Sequence, residues 1–146
     1  KLTDLVHTGF LIVSPLALAQ LRELGVEGDE APAELLDTGG KPLKKSEGYT
    51  LFRAAPRALI DWAQSDVNRS RSGSIWAFRE LELAEDAREL EDPPLLAHIP
   101  GTRLHLAHAR LVEAVREAGL TGFAFEPIST WRYAVNLDDE LTDWQL

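Results

Sequence analysis

One short cassette occurs twice in this chain, and it restricts the fold more than anything else in the sequence. Arg22-Glu23-Leu24-Gly25-Val26-Glu27-Gly28 near the start is matched by Arg116-Glu117-Ala118-Gly119-Leu120-Thr121-Gly122 near the end. Each cassette closes a stretch with helical spacing, and its first glycine supplies the left-handed residue that stops a helix. The first helix opens at Ser14-Pro15, where serine accepts a free backbone N–H and proline loses nothing by lacking one. The second covers Ala109 to Ala118, with Leu111, Val112, Val115 and Ala118 on one side. A short apolar run, Phe10-Leu11-Ile12-Val13, precedes the first helix, and Arg103-Leu104-His105-Leu106 precedes the second. These two runs align only if one residue is inserted. Two similar strand–helix units on one sheet are therefore expected.

The stretch between the units reads mostly as strands. Tyr49 to Arg53 is a strand candidate closed by Pro56, and Ala58 to Trp62 is apolar and contains Asp61. Ile75 to Leu83 ends in alternation, with Leu81 and Leu83 facing one way and Glu80 and Glu82 the other. Leu95 to Ile99 and Phe123 to Phe125 complete the set. Asp29 to Gly48 and Asn68 to Ser74 are rich in turn formers and read as loops, Glu85 to Asp92 is strongly charged and reads as a connection or a helical turn, and Pro93-Pro94 bars any helix from continuing past it. Strands outnumber helices and do not alternate with them regularly. The expected class is α+β, with a mixed or mainly antiparallel sheet and two principal helices.

The chain has 146 residues, of which 45% are hydrophobic and 27% charged. That is enough for one core without staples, since a domain of this size buries roughly 70% of its unfolded surface. A single domain over 1–128 is expected, followed by an acidic extension over 129–146 that contains tryptophan. The absence of cysteine excludes disulfides, thiolate metal sites and a cysteine nucleophile. No apolar run is long enough to span a membrane. The chain begins at Lys1 and has no methionine, so a further N-terminal segment is expected upstream. The formal net charge is -9. Such a field repels phosphate backbones and anionic lipid and draws in basic partners, so neither nucleic acid nor membrane is an expected ligand.

Few residues look equipped for catalysis. His98, His105 and His108 are the best metal candidates, but their spacing does not suit a ligand set, with His105 in a strand filling a sheet face and His108 near a helix cap, and no metal or other cofactor is expected. Arg69-Ser70-Arg71-Ser72-Gly73 lacks phosphate-loop spacing. Glu80 and Glu82 share a strand face, where carboxylates are normally solvated. Asp61 suits a turn cap, with Ser65 close behind. Trp76 reads as a core residue.

Several segments, taken in order, resemble the immunity-eleven family of bacterial polymorphic toxin systems. These are Leu11-Ile12-Val13-Ser14, Ala58-Leu59-Ile60-Asp61 with Ser65, Ile75-Trp76, and Leu111 through Glu117-Ala118-Gly119-Leu120-Thr121-Gly122-Phe123-Ala124-Phe125. The resemblance covers Phe10 to Pro127. Where the family carries a serine before its second helix, this chain has Ala107-His108. The Leu95 to Ile99 strand also lacks an expected phenylalanine. The resemblance implies an α+β immunity protein, not an enzyme, that binds a cognate toxin in the cytoplasm and neutralises it by occlusion. A basic toxin would suit the charge. Asp61, Ser65, Trp76 and Gly122 are the family-pattern positions, with structural roles expected. Trp131, Tyr133, Asp138, Asp139, Glu140 and Trp144 are the expected partner-binding residues, as aromatic anchors with an acidic rim. Two alternatives are a metal-dependent hydrolase using the three histidines and a regulatory domain of a larger effector.

Overall fold

The computed structural model describes residues 2–7, 10–69, 71 and 75–130, without the side chains of His7 and Trp76. The fold is α+β with antiparallel sheets. The chain divides into two compact units. One is Lys1–Ala58 with Leu90–Phe125, and the other is Leu59–Glu89 with Glu126–Leu146.

The first unit contains a four-stranded antiparallel sheet. Its strands are β1 (Leu5–His7), β2 (Leu11–Val13), β3 (Gly28–Pro32) and β4 (Thr50–Ala54), in the order β1-β2-β4-β3. Helix α1 (Pro15–Glu23) follows β2 directly. Ser14 caps it, accepting the Ala17 N–H at 3.1 Å, and Pro15 occupies the first helical position. Ala17, Leu18 and Leu21 are buried and meet Leu11, Val13 and Phe52 from the sheet. That placement follows from the 3.6-residue period, which stacks these three positions on one face of the helix.

The second cassette of this unit repeats the first residue for residue. In the second unit, β5 (Ile60–Arg69) and β6 (Ile75–Leu83) form a hairpin, followed by one helical turn, α2 (Glu85–Arg88). Back in the first unit, β7 (Leu96–His98) pairs with β8 (His105–Ala107), and α3 (Ala109–Glu117) follows. Leu11 and His105, Ser14 and His108, and Gly25 and Gly119 each stand 94 residues apart with no insertion. The sequence alignment with one inserted residue is therefore corrected: β8 starts at His105, not Arg103. Both helices end alike. Gly25 (φ 74°) and Gly119 (φ 63°) are left-handed, and the N–H groups of Val26 and Leu120 reach back to the carbonyls of Leu21 and Val115. Leu111 and Val115 of α3 enter the same core as α1. The β7–β8 pair joins the end of β4 through a parallel bridge between Pro56 and His98.

Three other expectations change. The stretch Asp29 to Gly48 is not all loop, because β3 occupies Gly28–Pro32. Every residue of β3 is exposed, so it has no apolar face for a pattern to show. Asn68 and Arg69 belong to β5 rather than to a loop. Phe123 to Phe125 is not a strand. The turn at Gly122 (φ 87°) sends it along the core edge, where the rings of Phe123 and Phe125 stack at 5.9 Å.

Candidate functional site

Three of the four family-pattern positions can be followed atom by atom, and each holds backbone in an unusual path. In β5, Asp61 pairs with Glu82, while the next paired residue, Asp66, faces Glu80. Residues 62–65 therefore lie opposite Leu81 alone, and the excess must be folded away locally. Asp61 does this with its carboxylate. Oδ1 accepts the N–H groups of Ala63 (2.9 Å) and Gln64 (3.2 Å). The Ser65 hydroxyl donates to the Asp61 carbonyl at 2.6 Å and accepts the Glu82 N–H at 2.9 Å. That hydroxyl thus ties the bulge to the facing strand. This use consumes Ser65 as both donor and acceptor, so it is not poised as a nucleophile.

Gly122 holds the other end of the resemblance. A Cβ at this position would lie 2.3 Å from the Leu5 carbonyl oxygen and 2.7 Å from Thr3 Cβ. The close approach lets Thr121 and Asp4 bond to each other. The N–H groups of Asp4 (2.9 Å) and Leu5 (3.1 Å) both donate to the Thr121 carbonyl. The Asp4 carboxylate accepts the Thr121 N–H and hydroxyl on one oxygen, each at 2.8 Å, and the Ser14 hydroxyl on the other at 2.9 Å. Asp4 is therefore a clasp joining β1, the cap of α1 and the end of the second cassette. Buried Tyr49 closes the same region by donating to the Thr3 carbonyl at 2.6 Å. Burial, and then the nearby Asp4 charge, push the Tyr49 phenol above its ordinary pKa of 10.0. The sequence reading missed Asp4. Its partners lie 10 and 117 residues away, beyond any local pattern.

Trp76 lies in β6, but its side chain is outside the described set. Trp131, Tyr133, Asp138, Asp139, Glu140 and Trp144 also lie outside the described residues.

The histidines separate into two roles. His98 and His105 face each other across β7 and β8, with ring centroids 5.2 Å apart. His98 Nε2 lies 3.0 Å from the Thr102 carbonyl and fastens the turn between the strands. His108 stands where the first cassette has Ser14, and its Nδ1 accepts the Arg110 N–H at 3.2 Å. A nitrogen bonded in this way is an acceptor without a proton, the imidazole counterpart of a hydroxyl cap. Among the described residues, no group of three or more His, Asp or Glu side chains is placed to hold a metal ion. The Arg69 guanidinium lies over the Trp62 ring at 5.7 Å.

What the described surface displays instead is charge along a sheet edge. Strand β3 and its flanks carry Glu27, Asp29, Glu30 and Glu34, all exposed. Arg57 reaches Glu27 (3.0 Å), Arg53 reaches Asp29 (3.1 Å), and Arg22 grips Glu30 through two guanidinium nitrogens. The pairing with Glu30 raises the already high pKa of Arg22. All three pairs lie in solvent, where water and salt screen them and each contributes little. Such pairs order the strand edge without locking it.

No protein-family model matches this chain, and no curated protein matches it. Among the described residues, no helix is long and apolar enough to cross a membrane.

Proposed function

We propose that this chain is an immunity protein that binds a cognate bacterial toxin and neutralises it by covering its working surface, with no chemistry of its own. The observation that carries the reading is a net charge of -9 on a chain whose ordered segments resemble the immunity-eleven family. Toxins that attack nucleic acid need a basic surface, and an acidic inhibitor is steered onto such a surface and competes with phosphate for it. Asp61, Ser65 and Gly122 serve the frame rather than a reaction, which suits a rigid binding module. Inhibition takes place in the cytoplasm, before the toxin reaches its target. Trp131, Tyr133 and Trp144, with Asp138, Asp139 and Glu140, supply the aromatic centre and acidic rim of the contact.

The test is coexpression with the toxin encoded beside this chain. Cells carrying both should grow, and the two purified proteins should co-elute. Death of the coexpressing cells, with no complex on a sizing column, removes the proposal.

A further inference from the structure

Among the described residues nothing pairs with the outer edge of β3, and its backbone shows which atoms are available. Ala55 N–H donates to the Glu27 carbonyl, and Ala33 N–H to the Tyr49 carbonyl. With the register of β3 on β4, hydrogen-bonded pairs therefore fall at Glu27/Ala55, Asp29/Arg53, Ala31/Leu51 and Ala33/Tyr49. The intervening residues, Gly28, Glu30 and Pro32, turn their backbone groups away from β4. Gly28 and Glu30 offer both N–H and C=O, whereas Pro32 offers only a carbonyl and ends any ladder there. All five residues of β3 are exposed, so neither face obstructs an incoming strand. Gly28 adds nothing on its own face, where a Cβ would strike the Phe52 ring at 2.6 Å.

We infer that β3 is the docking edge for an extended, Lys- or Arg-bearing segment of the partner protein, which adds as a further strand beside Gly28 and Glu30. The charges select that occupant. Glu27, Asp29, Glu30 and Glu34 flank the open edge, and the arginines paired with the first three are exposed, so an incoming cation can replace them at little cost. The same charges oppose a second copy of this chain, since β3 against β3 would set carboxylates beside carboxylates. The inference rests on the toxin-binding reading and adds the β3 edge as a second contact beside the one proposed for Trp131, Tyr133, Asp138, Asp139, Glu140 and Trp144.

Hydrogen exchange on the full chain, alone and with the neighbouring toxin, tests it. The amides of Gly28 and Glu30 should slow by about 100-fold on binding, because both become ladder donors. Glu30→Pro removes one donor at a position that β4 does not use, so the variant should melt close to the parent and bind the toxin about tenfold more weakly or worse. Toxin binding with Gly28 and Glu30 exchange unchanged overturns the edge and leaves the immunity reading standing. No binding by the parent chain overturns both. If Glu30→Pro does not fold, the exchange of the parent complex decides alone. Slowing that depends on the concentration of this chain without toxin assigns the edge to self-association and overturns the inference.

Discussion

Gly122→Ala should be among the most damaging single-methyl changes in this protein, and the structure supplies its own control. Gly122 and Gly119 are both left-handed, at φ 87° and 63°. An alanine in that region costs about 1–2 kcal/mol of backbone strain. At Gly119 nothing lies within 4 Å of the added Cβ, so strain is the whole cost. At Gly122 the Cβ would lie 2.3 Å from the Leu5 carbonyl oxygen, so that carbonyl must retreat by roughly 1 Å. The movement pulls on two hydrogen bonds, from Asp4 N–H and Leu5 N–H to the Thr121 carbonyl. Each is worth about 1 kcal/mol. Gly122→Ala should then cost about 3–4 kcal/mol against about 1–2 for Gly119→Ala. At 2–4 °C per kcal/mol for chains near this length, the melting points should fall by about 10 °C and about 4 °C. The loss of chain freedom in the unfolded state is the same for both and cancels in the comparison. Thermal unfolding followed by circular dichroism measures the difference. Equal destabilisation by the two substitutions refutes the clasp between β1 and the end of the second cassette.

The bulge in β5 makes a second prediction. Asp61→Ala and Ser65→Ala should each destabilise by about 1–2 kcal/mol, and the double variant by clearly less than the sum, because both residues hold the same bulge over residues 62–65. Additive losses in urea unfolding would show that the two act separately. Tyr49 makes a third. Its folded pKa lies above the unfolded value of 10.0, so its contribution is complete below pH 10 and is lost as pH rises through the folded value. Tyr49→Phe should lose about 1 kcal/mol at neutral pH and should flatten the decline in stability above pH 10. A decline of unchanged steepness in the variant would place the alkaline titration elsewhere.

The first strand–helix unit was legible because its signals are local. An apolar triplet, a capping serine, a proline and a left-handed glycine lie within fifteen residues and agree with one another. The second unit was legible at its end but misregistered at its start. His105 is not apolar, so the expected strand was drawn toward the apolar Leu104 and began two residues early, at Arg103. The cap of α3 was legible by its position before the helix but not by residue type, since His108 fills the place of Ser14 through a ring nitrogen rather than a hydroxyl. Strand β3 left no periodic trace, because both of its faces meet water and its order comes from β4 and from ion pairs. The Asp4 clasp was beyond sequence reasoning altogether. Its energy lies in contacts to Ser14 and Thr121 that only the folded chain brings together. The candidate site divided in the same way. Asp61 was legible as a turn cap because the N–H groups it accepts are two and three residues away, whereas the open edge of β3 required the register.

Titration of the toxin's activity with this chain tests the central claim most directly. The account predicts that activity falls linearly and reaches its floor at one equivalent, with slower association as salt screens the acidic field. Loss of toxin activity at a small fraction of an equivalent would mean that this chain turns over a substrate. No loss at any ratio would mean that the toxin is not its partner.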